Sequence, residues 1–345
     1  MVGYAMSVID EAGRVVRGFF DQPVGPIEHM KARLKSPLGE LLPLEARDQA
    51  FRHFQFMGAV SSRYALGCAL SYSPLIKGAF LYLYDMSARE FILETRLSVR
   101  NDADRYDLSH DPDDGTSLFI AGDARIEMTA DKAHGTKTLR ATLADGVSID
   151  LTFADAAPDF SPMRVCTQTG ATGWTYAQKV AGVPAIGTIS GPFGSLNLVE
   201  MGACAHHDYT SGFLRPETYW NWACFSARDE AGRLLGLNVS NGVNESGFTE
   251  NCFWVDGRLV KTDLVLIQFD DEDLDKPWLI KSGDGAIDLT FTPVGGYHAV
   301  GDAGILASNF HQMFGHFDGV LQDSTLGRLP IKGLGGFAET QYLRW

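Results

Sequence analysis

The sequence is poor in what several common functions require. Its 345 residues hold 29 Lys and Arg against 43 Asp and Glu, a formal net charge of −14, and nowhere do the cations gather. Nucleic-acid binding takes its affinity from clustered Lys and Arg that neutralise phosphates, so that partner is excluded. No apolar run approaches the roughly 20 residues of a spanning helix. The first twenty residues include Asp10, Glu11, Arg14 and Arg17, which interrupt the apolar core of a signal peptide. The expectation is a soluble cytoplasmic protein without stable membrane insertion.

Cysteine is scarce too. Cys68, Cys166, Cys204, Cys224 and Cys252 are odd in number and form no Cys-x-x-Cys pair. Without electropositive neighbours they read as buried thiols, not as disulfides or nucleophiles. His206, His207, His298, His311 and His316 offer metal-binding nitrogens, but no His-x-His or Glu-x-x-His spacing organises them, so no metal is expected. Gly333-Leu334-Gly335-Gly336 opens no helix, which rules out a dinucleotide loop. The stretches Ile186–Gly191 and Gly191–Ser195 both miss the Gly-x-Ser-x-Gly nucleophile elbow. No cofactor is implied.

What is present is β-structure in quantity. A chain this long exceeds one ordinary core and suggests two domains or one double-sized β assembly, and 45% hydrophobic residues are ample for packing. Residues 1–50 are mixed, with Pro37 and Pro43 interrupting the helix-forming stretch from Met30 to Arg47, and read as a strap packed on the first domain. From Phe51 onward, FRHFQFMGAV, SSRYALGCAL, GAFLYLYDM and EFILETRLSV are strand-length, aromatic-rich and separated by Ser, Pro or Gly. The segment from Asn101 to Asp114, dense in Asp and carrying His110, reads as a solvated connection. Its acids miss the spacing of an EF-hand.

The second half echoes the first. Asp145–Phe153 (DGVSIDLTF) recurs as Asp284–Phe291 (DGAIDLTF), each a turn feeding an alternating strand. Gln178-Lys179 before Gly187-Thr188-Ile189 parallels Gln312-Met313 before Gly319-Val320-Leu321. A strand carrying an acid comes after each, Asp208 in one copy and Glu339 in the other. Three landmarks in one order point to a duplicated β unit. The fold expected is all-β: two antiparallel β-barrel or sandwich domains in tandem, over 51–195 and 196–345, with few short helices.

Polar groups and aromatic rings concentrate between His206 and Trp254. On a strand His206 and Asp208 share a face, so the carboxylate could hydrogen-bond the imidazole and raise its pKa, and such a pair serves acid–base chemistry at neutral pH. His207 points the other way. The rival reading makes Asp208 the cap of an Asx turn with Tyr209-Thr210-Ser211-Gly212. Alternation also places Glu250, Cys252 and Trp254 on one face; an acid beside a Trp is either paired, with Arg215 or Arg258 available, or buried with a raised pKa. His311, among aromatics, reads as a core group or a tuning base. Trp220, Trp222, Trp254, Tyr209, Tyr219 and Arg215 are the candidates to contact an apolar ligand or, through ring faces, a carbocation.

Four stretches, HHDYTSGFLRPETYWNWA, FTENCFWVDGRL, NFHQMFGHFDGVL and GGFAETQYLRW, resemble a bacterial family catalogued as domain of unknown function 2804. That family is similar to lipocalin-like proteins that include carotenoid 1,2-hydratase, the Att-type proteins and fungal Diels-Alderases. The resemblance runs from about residue 50 to Trp345 and implies two lipocalin-like β domains. In the hydratase relatives an acid near an aromatic-lined cavity protonates a carbon–carbon double bond, and Asp208 stands where such an acid is expected. Two positions depart from that pattern: His207 replaces an aliphatic residue and Gln341 replaces a histidine.

Together these features imply a hydratase, lyase or isomerase that works without a cofactor on a hydrophobic unsaturated small molecule, such as an isoprenoid, fatty acyl or aromatic compound. Asp208 or Glu250 would donate the proton and His206, His207 or His311 would tune it. A carrier for lipophilic ligands is the alternative, since a β-barrel encloses a cavity whether or not it supports chemistry. A pair of structural domains whose acids only stabilise turns is the third.

Overall fold

A computed structural model describes residues 7–74, 77–99, 104–243 and 247–345. Among these residues the chain is almost entirely antiparallel sheet, with one α-helix at Leu44–Ala50 and one 3-10 turn at His29–Lys31. The all-β expectation holds.

Three sheets form. The first has the order Gly18–Phe19, Met163–Thr169, Gly173–Pro184, Cys204–Gly212, Arg52–Val60, Tyr64–Tyr72, Lys77–Asp85, Glu90–Ser98. The second runs Gly194–Asn197, Ile186–Gly191, Ser148–Ala154, Thr136–Thr142, Ala124–Asp131, Gly115–Ala121, Arg105–Asp107. The third runs Arg258–Lys261, Cys252–Val255, Leu234–Asn241, Glu217–Arg228, Gly327–Arg344, Ala307–Asp323, Ile287–Asp302, Trp278–Ser282, Val265–Gln268. The two echoed strands, Ser148–Ala154 and Ile287–Asp302, lie in the second and third sheets. Cys204–Gly212, the strand after residue 195, is hydrogen-bonded in the first sheet between Gly173–Pro184 and Arg52–Val60.

The first sheet is covered on both faces, and this decides where its polar side chains go. One face packs Met57, Leu66, Leu81 and Val180 against Phe119, Ile126, Leu151 and Ile189 of the second sheet. The other packs Phe56, Tyr82, Val165 and Ala177 against Trp222, Phe314 and Phe337 of the third. The third sheet curls round its own core of Phe225, Leu237, Trp278, Phe291 and Phe317. Residues 7–50 lay Val8, Phe20, Ile27 and Leu34 over Trp174, Tyr176 and Tyr209 on the first sheet. A strand buried on both faces does not alternate in hydropathy, and every residue of Cys204–Gly212 is buried.

Close backbone contact ties the first sheet to the third. Gly182 occupies a bulge at φ +78°, and its N–H donates to Ser226 Oγ at 2.6 Å, while that hydroxyl donates to Ala205 O at 2.6 Å. A Cβ on Gly236 would lie 2.5 Å from Ala181 O, so glycine is needed for the two sheets to approach.

The acidic segment 101–114 departs from its reading as a solvated connection. Residues 101–103 lie outside the described residues, but Arg105–Asp107 is an edge strand and Asp113 is pulled inward. Its Oδ1 accepts from Arg164 at 3.0 Å and Gln178 at 2.8 Å. A charge-assisted pair replaces the solvation that the carboxylate gives up. The cysteines are buried thiols, as expected, and burial raises all five thiol pKa values.

Candidate active site

A cavity of about 410 Å³ opens between the first and third sheets. Strand alternation points Phe54, Phe56, Lys179, Asp208 and Thr210 into it from the first sheet. Trp220, Trp222, Phe310, Gln312, Glu339 and Gln341 enter from the third, and Glu250 from the loop before Cys252. Most of the wall is aromatic or aliphatic, and its buried acidic and basic side chains fall into two sets.

The first set is a buried ion cluster. Lys179 and Asp208 are direct cross-strand partners. Lys179 Nζ lies 2.7 Å from Asp208 Oδ2 and 3.3 Å from Glu250 Oε1, and Asp208 Oδ1 also accepts from Thr210 Oγ1 at 2.8 Å. Burial alone would drive the ammonium toward its neutral form, but the two carboxylates outweigh it and the Lys179 pKa is raised. Burial and the neighbouring Glu250 raise that of Asp208 against the pull of Lys179. The Nζ also sits 5.0 Å from the ring centre of Trp222, close enough for a cation–π contact.

The second set is a carboxyl that pairs with no cation among the described residues. Glu339 Oε1 accepts from Trp220 Nε1 at 2.7 Å and Oε2 accepts from Gln312 Nε2 at 2.7 Å. Gln312 Oε1 in turn accepts from Tyr82 Oη at 2.5 Å, which leaves the amide N–H groups toward the acid. Burial pushes the Glu339 pKa up to about 7, and the two N–H donors oppose that rise without cancelling it. A carboxyl that is both acid and carboxylate near neutral pH suits proton transfer.

The residues anticipated from sequence separate. Asp208 and Glu250 meet, through Lys179 and not through Arg215 or Arg258. Arg215 donates instead to Gly242 O and Arg258 to Asp323. Trp220 and Trp222 line the cavity. Asp208 lies within a strand, so it caps no turn. His206 shares its face, as alternation requires, but packs between the rings of Phe56, 5.3 Å away, and Phe337, 5.2 Å away. Neither nitrogen of His206 has a hydrogen-bond partner among the described residues, and burial lowers its pKa to about 3. A Cβ on Gly58 would come within 2.7 Å of that ring. His207 and Tyr209 occupy the opposite face, where Tyr209 Oη donates to Ser109 O at 3.3 Å. His311 pairs with His298, Nδ1 to Nδ1 at 2.7 Å, on the face of its strand away from Gln312. Trp254 donates to Ser161 O at 2.8 Å and is fully buried outside the cavity wall. Tyr219 is exposed and packs under Arg215.

Two groups of the site escape the sequence reading. Glu339 is visible there only as the acid that matches Asp208 in the internal echo. Lys179 is part of another echo landmark, and its role emerges only from strand register.

Compared with known proteins, residues 4–345 match the family model described as Domain of unknown function (DUF2804). The chain belongs to this family. No curated protein matches its sequence. Among solved structures it resembles kievitone hydratase from Nectria haematococca at 9% identity and a TM-score of 0.51, over 85% of this chain and 89% of that one. It also resembles CghA with Sch210972 at 11% identity and a TM-score of 0.55, over 98% and 96%. At such identities the likeness establishes the shared fold, and the lipocalin-like architecture stands on it.

Proposed function

We propose that this DUF2804 protein is an acid–base enzyme of the hydratase, lyase or isomerase type, acting without a cofactor on a hydrophobic unsaturated small molecule. The observation that carries this reading is Glu339, a carboxyl with a pKa near 7 in an aromatic-walled cavity, held by Trp220 and Gln312 and paired with no cation among the described residues. The fold shared with kievitone hydratase, by name a hydratase, supports the class of reaction. Glu339 delivers a proton to an unsaturated carbon or removes one beside it. Lys179, Asp208 and Glu250 form the charged wall opposite.

Incubating the protein in D₂O with a panel of unsaturated terpenoids and phenolics, and reading deuterium at carbon by mass spectrometry, tests the proposal. Wild type labels at least one compound. Glu339→Gln loses about 100-fold or more of that rate, the usual contribution of a positioned acid or base, with its circular dichroism unchanged. Equal labelling by the variant and wild type would remove Glu339 from the chemistry. Tight binding of apolar compounds with no labelling of any would establish the alternative, a carrier.

A further inference from the structure

We infer that Lys179 Nζ donates a hydrogen bond to a carbonyl oxygen of the substrate, so that the cavity takes apolar ketones whose double bond is conjugated to that carbonyl. The inference rests on the reading of Glu339 as the proton-transfer group and narrows its substrate class.

Three features of the wall carry it. An ammonium has three N–H bonds, and two carboxylates, Asp208 and Glu250, are its oxygen partners. The third N–H has no oxygen acceptor among the described residues. Lys179 is nine-tenths buried yet borders the cavity, so a group held in that cavity can meet the third N–H. Second, one aromatic face of the cavity already carries a positive charge, since Lys179 Nζ lies 5.0 Å from the Trp222 ring centre. Protonating an isolated alkene would set a second cation against the first. Developing negative charge on an oxygen meets the opposite situation, a fixed donor in a mostly apolar wall. Third, Glu339 on the facing sheet lines the same cavity as Lys179 and Asp208. One substrate can therefore reach donor and acid together.

In the hydration, the oxygen of water bonds to the β-carbon, and the π pair of the double bond shifts to leave an enolate whose oxygen is held by Lys179. Glu339 protonates the α-carbon and the carbonyl re-forms. The proton lost by the added water replaces the one Glu339 gave. One water is consumed and a β-hydroxy ketone results; the reverse is a dehydration.

The test uses a matched pair of probes, 2-acetylnaphthalene and 2-ethylnaphthalene, which differ in the carbonyl. The variant is Lys179→Met/Asp208→Asn/Glu250→Gln, which leaves no carboxylate buried without its cation. In wild type the carbonyl stretch of the bound ketone moves to lower wavenumber than in hexane. The variant abolishes that shift and lowers the ketone-to-hydrocarbon affinity ratio about tenfold or more, as loss of a hydrogen bond from a charged donor requires. Hydrocarbon affinity stays within about threefold, which shows the cavity intact. Glu339→Gln keeps the infrared shift, and in D₂O it loses the deuterium uptake that wild type shows at the methyl carbon of the ketone. An unshifted carbonyl in wild type, or an unchanged affinity ratio in the variant, overturns the inference and leaves the cavity reading standing. A shifted carbonyl without deuterium uptake in wild type overturns the enolate chemistry. Failure of wild type to bind either probe overturns the cavity reading itself.

Discussion

Glu339 shows how a single carboxyl is tuned by opposed terms. Burial disfavours its charge, while Trp220 and Gln312 donate to the charged form. As a proton donor it must be protonated, so the rate is highest in acid and falls as pH rises through about 7. Removing a donor removes support for the carboxylate and raises the pKa further. Gln312→Leu is therefore expected to shift the alkaline limb of the pH–rate profile upward by roughly one unit, and an unmoved limb would show that the hydrogen bond does not tune the acid. The same shift has a sign in stability. The folded value, about 7, lies above that of an unfolded glutamate. The contribution of the neutral acid to stability is thus complete below the unfolded value and is lost as pH rises through about 7. Glu339→Gln cannot ionise and should lose this slope: its urea midpoint gains on wild type between about pH 5 and about pH 8. An identical pH dependence in both proteins would argue against a buried neutral Glu339.

Strands explain what the sequence disclosed and what it withheld. The all-β class was legible from strand-length, aromatic-rich stretches separated by Ser, Pro or Gly. Alternation put Asp208 on the face of His206 correctly, but it could not say what that face met. Lys179 lies far from Asp208 in sequence, and only the pairing of Gly173–Pro184 with Cys204–Gly212 makes them neighbours. Cys204–Gly212, buried on both faces, has no hydropathy rhythm to reveal its place in the first sheet. Its His206 is a ring among rings, a role that local spacing cannot distinguish from catalysis. Glu339 was legible only through the sequence echo that sets it opposite Asp208. The contact between Gly182 and Gly236 is an element-scale feature with its own test. Gly236→Ala would set a Cβ 2.5 Å from Ala181 O and 2.8 Å from Gly182 N, both backbone atoms, so the strands must separate. A loss of about 1–3 kcal/mol in urea unfolding is expected, together with weaker binding of apolar probes. Unchanged stability would mean that the sheets are not held at this point.

At the scale of the whole molecule the site belongs to neither half alone. The first sheet supplies the ammonium, Asp208, Phe54 and Phe56; the third supplies Glu339, its donors and the Trp rings. The same interface buries Phe56, Tyr82, Phe314 and Phe337, so separating the halves exposes a wide apolar face as well as a buried ion cluster that has lost Glu250. A chain cut between Gly212 and Glu217, in the segment joining Cys204–Gly212 to Glu217–Arg228, therefore yields two fragments that each lack a finished cavity. Neither fragment is expected to bind 2-acetylnaphthalene when refolded alone, because each leaves half the wall to water. Co-expression should restore binding, since apolar burial on the scale of a domain core drives reassociation. Fluorescence titration of the separate and co-expressed fragments checks this. Binding by either fragment alone, at an affinity within about threefold of the intact chain, would show that the cavity is carried by one sheet system and that Lys179 and Glu339 do not act on a common substrate.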